Sequence, residues 1–188
     1  MENNRFPLLM KSAAAGTSLF TLFFMLVYRY FPINLFLVCA ISLGTTAYHF
    51  VMRLAVGYLI PKLTGYDFDY HHRWFQPRKW EPGFYKTIHI RKWKNTLPTY
   101  APELYSIKEN SLYRIIQNMC GAEIVHEVIM VLSFLPLLTV PVFGSFPVFF
   151  ITSLLASFYD GIFVIAQRYN RPRLVRIYEK QEAAKPHE

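Results

Sequence analysis

GAEIVHEVIMVLSFLPLLTVPV, residues 121–142, decides how the chain is to be read. From Val128 to Val142 it carries no charge at all, and its 22 residues rise far enough as a helix, at about 1.5 Å each, to cross a hydrocarbon core of roughly 30 Å. Its first seven residues nonetheless hold Glu123, His126 and Glu127. Placing such groups in lipid costs about 2.5–3.5 kcal/mol for the worst types, so a span that contains them must give them partners or face a polar cavity.

Working outward, the composition supports a membrane setting. Of 188 residues, 53% are hydrophobic, 18% are aromatic and only 17% are charged, too apolar a balance for a soluble domain of this length. Windows long and apolar enough to span lie at about 13–31, 33–55, 121–142 and 146–167. The first resembles a signal peptide in following Arg5 and Lys11, but no small-residue cleavage site follows it, and it reads as a retained anchor. Phe31-Pro32 then closes a tight hairpin, the proline ending one helix and suiting the first turn of the next. The expected fold is an all-α integral membrane protein, one membrane domain over residues 1–188, with about four transmembrane helices and an interfacial amphipathic segment between spans two and three.

Charge sets the expected orientation. Of 20 Lys and Arg residues, two lie in 1–12, ten in 62–118 and six in 168–188, with Arg29 and Arg53 the remainder, while the PVFGSFP turn between the last two spans is uncharged. Basic residues accumulate on the cytoplasmic side. The reading is a multi-pass cell-membrane protein with both termini and the long middle segment cytoplasmic. Topology and lipid then account for the net charge of +8, and no nucleic acid is needed as a partner. Cys39 and Cys120 fall near opposite membrane faces in this topology, which argues against a disulfide and against metal ligation by the pair.

Residues 62–118 are too long for a connector and too aromatic for a disordered one. Tyr66, Phe68, Tyr70, Trp74, Phe75, Trp80, Phe84, Tyr85, Trp93 and Tyr100 stand among its basic residues, a mixture suited to the headgroup level. Short amphipathic helices are expected there, broken at Pro77, Pro82, Pro98 and Pro102. The closing SLYRIIQNMC is expected to run unbroken into the third span, with Leu112, Ile116, Met119, Glu123, His126 and Met130 on one helical face.

Apart from Arg29 near the end of the first, six charged or imidazole residues fall inside the predicted spans: His49, Arg53, Glu123, His126, Glu127 and Asp160. Counting helical rise from each span end puts all six in the inner-leaflet half of the bundle, and Arg53 with one of the three carboxylates is the expected neutral pair. One reading is a polar network that only pins helices together. The other is a reaction site open to the cytoplasm, in which His126 exchanges protons while Glu123 or Glu127 holds its tautomer. Other chemistries lack their residues. A single ExxH does not build a di-iron bundle, six histidines without an HxxHH box do not build a desaturase site, and no GxSxG elbow, phosphate-cradling glycine loop or HxxxxD element is present. No metal is expected.

WEPGFYKTIHIRKWKNTLP, residues 80–98, and QRYNRPRL, residues 167–174, carry more information. With AEIVH they resemble the glycosyl-4,4'-diaponeurosporenoate acyltransferase family of staphyloxanthin-type carotenoid biosynthesis, in order and approximate spacing, over about residues 48–176. Asp160 departs from the pattern, standing where an asparagine is expected. The resemblance implies transfer of a fatty acyl group to a sugar hydroxyl, the glucose 6-hydroxyl in the typical case, of a glycosylated carotenoid or similar membrane-embedded glycolipid acceptor. On that reading His126 and Glu123 are catalytic base and orienter, Glu127 being the local alternative. His49 supports the site, and Arg53, Asn170 or Arg168 supply oxyanion donors. Arg91, Lys92, Lys94, Arg168, Arg171 and Arg173 bind either membrane lipid headgroups or the phosphates of an acyl-CoA or acyl-carrier-protein donor. The acyl thioester is a co-substrate, and no tightly bound cofactor is expected. The rival reading is a non-catalytic small membrane scaffold or subunit, and four spans without repeats disfavour a transporter.

Overall fold

The computed structural model describes residues 5–65 and 67–185; Tyr66, counted above among the headgroup-level aromatics, lies outside them. The fold is 79% helical, and no strand occurs among the described residues. Helix α1 covers Phe6–Tyr30, α2 Asn34–Thr64, α3 Glu81–Thr87, α4 Ile90–Trp93, α5 Leu112–Leu132, α6 Val140–Phe143 and α7 Phe146–Ala183, with 3₁₀ turns at Lys94–Thr96, Pro102–Tyr105 and Leu135–Thr139. Four stretches are long and apolar enough to cross a membrane: Phe6–Tyr30, Asn34–Thr64, Leu112–Phe143 and Phe146–Ala183. This is an all-α membrane protein of four such helices, as the hydropathy windows led one to expect. By contact density the chain divides into two compact units, one of Met1–Tyr58 with Val128–Asp160 and the other of Leu59–Glu127 with Gly161–Glu188.

In the first unit α1 carries Pro7 in its first turn, where the missing N–H would find no partner in any case. Only 6% of its most apolar window is buried, a pattern that fits contact with lipid and not with water. The helix stops at Phe31, which is extended (φ −127°, ψ 90°) as a residue before proline must be. Pro32 therefore sits in a three-residue turn, and α2 starts two residues beyond it. Gly44 lets α1 and α2 approach closely, since a Cβ there would stand 3.2 Å from the Thr21 methyl. Hydroxyls within these helices, Thr17, Ser18, Thr21, Thr45, Thr46 and Thr152, donate to carbonyls one turn back and so leave no bare donor facing lipid.

The third span is not the continuous helix that residues 121–142 suggested. It leaves α-geometry after Leu132, because Pro136 has no N–H for the Leu132 carbonyl and Pro141 none for Leu137. A bare carbonyl cannot be left in lipid. The Tyr48 hydroxyl of α2 donates to the Leu132 carbonyl at 2.7 Å and fills the gap.

In the second unit the long middle segment folds back on α5. Gln117 and Asn118 do the pinning. The Gln117 side-chain amide accepts from the Phe68 N–H at 2.7 Å and donates to the Phe68 carbonyl at 2.8 Å, and Asn118 donates to the Leu104 carbonyl at 2.7 Å. Residues 115–120 are consequently buried on every side of the helix, not along one stripe. Pro82 and Pro102 open short helical turns where breaks were expected, again because the first helical turn has no use for their N–H. SLYRIIQNMC does run unbroken into α5, as expected.

Tyr48→Phe should lower stability by about 1–2 kcal/mol by stranding the Leu132 carbonyl. In the Pro136→Ala background, where a backbone N–H is restored, the same change should cost less than half as much. Reversible unfolding in mixed micelles measures both, and equal losses in the two backgrounds would contradict the assignment.

Candidate functional site

Glu123 is fully buried on α5, and its surroundings organise the second unit. One carboxylate oxygen accepts from Arg168 Nη1 at 2.7 Å and the other from Arg171 Nη1, both on α7. Arg168 also pairs with Glu81 of α3, through Nε at 3.0 Å and Nη2 at 2.6 Å, and donates to the Trp74 and Gln76 carbonyls at 2.9 and 3.0 Å. These contacts use all five guanidinium N–H groups. Arg171, 1% exposed, donates to the Phe75 carbonyl at 2.6 Å and lies over the Phe75 ring. Two carboxylates and two guanidiniums thus form a neutral buried core tying α3, α5, α7 and residues 74–76 together. A carboxylate between two guanidiniums compensates the loss of water that would otherwise expel it from the interior.

Tyr85 closes this core, its hydroxyl donating to Glu81 Oε2 at 2.8 Å. Burial first, and then the hydrogen bond to a carboxylate, push the Tyr85 phenol well above its ordinary value. Tyr85 packs edge-on against Tyr169, with ring centroids 5.3 Å apart. The Tyr169 hydroxyl accepts from both Arg91 and Arg173.

One turn beyond Glu123, the His126 imidazole is half-buried and stacks on Phe163 of α7, centroids 4.7 Å apart and planes 10° from parallel. Glu127 accepts from the Trp74 indole at 2.8 Å. Asn170 is half-buried beside Arg171, and Lys92 is exposed.

In the first unit, Arg53 pairs with Asp160 and donates to the His49 and Ala156 carbonyls, each at 3.1 Å. A carboxylate at 160 thereby has a physical reason: an asparagine there would leave Arg53 without this counter-charge. His49 is buried, and neither ring nitrogen has a hydrogen-bond partner among the described residues. Cys39 and Cys120 are free thiols.

The structure therefore sorts the expected residues. Glu123, His126, Glu127, Asn170, Arg168 and Arg171 fall in one unit, and Arg53 has Asp160 as its partner. Arg168 and Arg171, expected to reach phosphates, direct their donors inward, and both oxygens of Glu123 serve guanidiniums. Glu81 went unnoticed in the sequence although it is 1% exposed. The signal was available: one acid between Trp80 and Pro82 in a strongly basic segment, and three arginines in QRYNRPRL needing more counter-charge than Glu123 supplies.

The glycosyl-4,4'-diaponeurosporenoate acyltransferase family model matches residues 71–180, more than half of the chain. No curated protein and no solved structure matches it. The chain belongs to the glycosyl-4,4'-diaponeurosporenoate acyltransferase family, and is an acyltransferase of the membrane. The matched residues contain the whole buried core, His126, Asn170 and the basic residues Arg91, Lys92, Lys94 and Arg173, whereas His49 and Arg53 lie before them.

Glu123→Ala leaves two buried guanidiniums without their shared carboxylate and should destabilise the protein by about 3–5 kcal/mol. Lys92→Ala, at the exposed surface, should change stability by under about 0.5 kcal/mol. Thermal unfolding in detergent checks the contrast, and similar shifts for the two variants would refute the core. The Tyr85 phenol, raised in the folded state, gives a pH prediction of definite sign. An unfolded tyrosine ionises near pH 10 while the folded one holds its proton, so stability is intact below about pH 10 and falls as pH rises above it. Tyr85→Phe should flatten that alkaline fall between about pH 9.5 and 11.

Proposed function

We propose that this chain transfers a fatty acyl group from a thioester donor to a sugar hydroxyl, of the glucose 6-hydroxyl type, on a glycosylated carotenoid or similar glycolipid held in the membrane. The observation that carries the reading is the position of His126. Within the family-matched residues it stands one turn from Glu123 on α5, its ring held flat against Phe163.

A sugar hydroxyl is a weak nucleophile at neutral pH. His126 takes its proton as the oxygen attacks the thioester carbonyl, the C–S bond breaks as the tetrahedral intermediate collapses, and the imidazolium returns the proton to the departing thiolate. Glu123 acts as a positioning residue: its oxygens hold Arg168 and Arg171 and so fix the α7 segment that carries Asn170 next to α5. The Asn170 amide, unlike the saturated Arg168, has N–H groups to offer the oxyanion. Glu127, anchored by Trp74, is the nearby carboxylate able to steady the imidazolium. The donor is a coenzyme A or carrier-protein thioester, and no tightly bound cofactor takes part. Both termini and the long middle segment are assigned to the cytoplasmic side, where such donors are found; the basic residues concentrated in 62–118 and 168–188 support this.

A scaffold reading would also need the buried ionic core, but it has no use for an imidazole. With labelled acyl thioester and membranes containing the glycosylated acceptor, His126→Ala and His126→Gln should both lose about 10²-fold or more in transfer rate while inserting at the wild-type level. Full activity in His126→Gln would sink the catalytic assignment and favour the scaffold.

A further inference from the structure

Arg91, Lys94 and Arg173 gather round one phenol. Tyr169, 9% exposed on α7, accepts from Arg91 Nε at 3.0 Å and from Arg173 Nη2 at 2.6 Å. The Arg173 guanidinium lies 4.1 Å and the Lys94 ammonium 5.9 Å from the centre of its ring, and Lys94 also donates to Asn95 Oδ1 at 2.9 Å. Arg53, Arg168 and Arg171 each meet a carboxylate. No carboxylate among the described residues pairs with Arg91, Lys94 or Arg173. Like charges so close repel, and a neutral phenol oxygen supplies no counter-charge. The phenol does set the direction of both guanidiniums. Arg91 engages it through Nε alone and Arg173 through Nη2 alone, so the other N–H groups of both remain to meet a ligand.

We propose that this cluster is a phosphoryl-binding site, with Tyr169 as its platform and Arg91 and Arg173 as paired forks for phosphate oxygens. Holding the forks before the ligand arrives reduces the ordering cost of binding. Tyr169 touches Tyr85, which donates to Glu81 of the buried core, so the platform is braced from within. Arg168 and Arg171 take no part. The phosphate comes either from the coenzyme A portion of the thioester donor, a source that rests on the acyl-transfer reading, or from an anionic lipid headgroup.

Direct binding separates the two sources. Full-length protein in phosphatidylcholine nanodiscs is titrated with coenzyme A, and its retained phosphatidylglycerol, after purification from mixed-lipid membranes, is counted by native mass spectrometry. If the donor supplies the phosphate, Arg91→Gln/Arg173→Gln should raise the coenzyme A Kd at least about tenfold, and Tyr169→Phe, which keeps every charge but removes the shared acceptor, about three- to tenfold. If lipid supplies it, wild-type protein should bind no coenzyme A, and the double variant should lose at least about half of the retained phosphatidylglycerol. Changes below twofold in both measurements, with unfolding temperature unaltered, overturn the proposal. Should the double variant fail to fold, Arg173→Lys, which keeps the charge and loses the fork, is judged on the same thresholds. His126→Ala should bind coenzyme A as wild type does. Loss of transfer with binding intact supports both readings, whereas wild-type transfer in that variant would remove the proposed function and leave the phosphoryl site standing.

Discussion

A carboxylate held between two guanidiniums is the constraint on which the second unit of this protein depends. Glu123 has no exposure, and a carboxylate buried there needs Arg168 and Arg171 as its partners. Their geometry decides more than charge. Arg168 has five N–H groups in one rigid plane, and meeting all five demands Glu81 and two backbone carbonyls in fixed positions. A lysine could neutralise Glu123 but could not draw α3 and residues 74–76 to α7. The ionic core thus works chiefly by specifying an arrangement: replacing such a core with apolar side chains is often neutral, while breaking it is severe.

The same rule of full satisfaction shapes the apolar parts. Pro136 interrupts α5 and frees a carbonyl, and Tyr48 supplies the missing donor. Threonine and serine hydroxyls fold back onto their own helices, and Asp160 meets Arg53. Helix α1 presents Leu19, Phe20, Leu22, Phe23 and Leu26 outward, which only a lipid environment makes favourable. What lies exposed and apolar is therefore as informative as what is buried and charged.

Hydropathy made the four spans legible because an apolar run long enough to cross lipid is seldom kept by a chain that folds in water. Their ends were less legible. Proline both opens and interrupts: Pro82, Pro102 and Pro136 each stand at the start of a short helical turn, and Pro136 also denies an N–H to the Leu132 carbonyl behind it. AEIVHE contains Glu123, which is buried and paired with two arginines. The partners of Glu123 could not be read from spacing, because Arg168 and Arg171 lie more than 40 residues away in the chain, and the pairing is settled by how the middle segment folds back through Gln117 and Asn118. Basic residues that look alike in sequence thus divide into two kinds: Arg168 and Arg171 enclosed by acids, Arg91 and Arg173 gathered on a phenol.

The family match and the fold meet in one picture: an enzyme whose rigid ionic core sets an imidazole on α5 near the segment QRYNRPRL. The most direct test of that picture is the mass spectrum of the glycolipid fraction from cells producing a glycosylated carotenoid, with and without this chain. The account predicts a species heavier than the glycoside by one fatty acid less water, esterified on the sugar, in cells that contain the chain. Identical spectra from the two cell lines, with the protein shown to be present in the membrane, would contradict it.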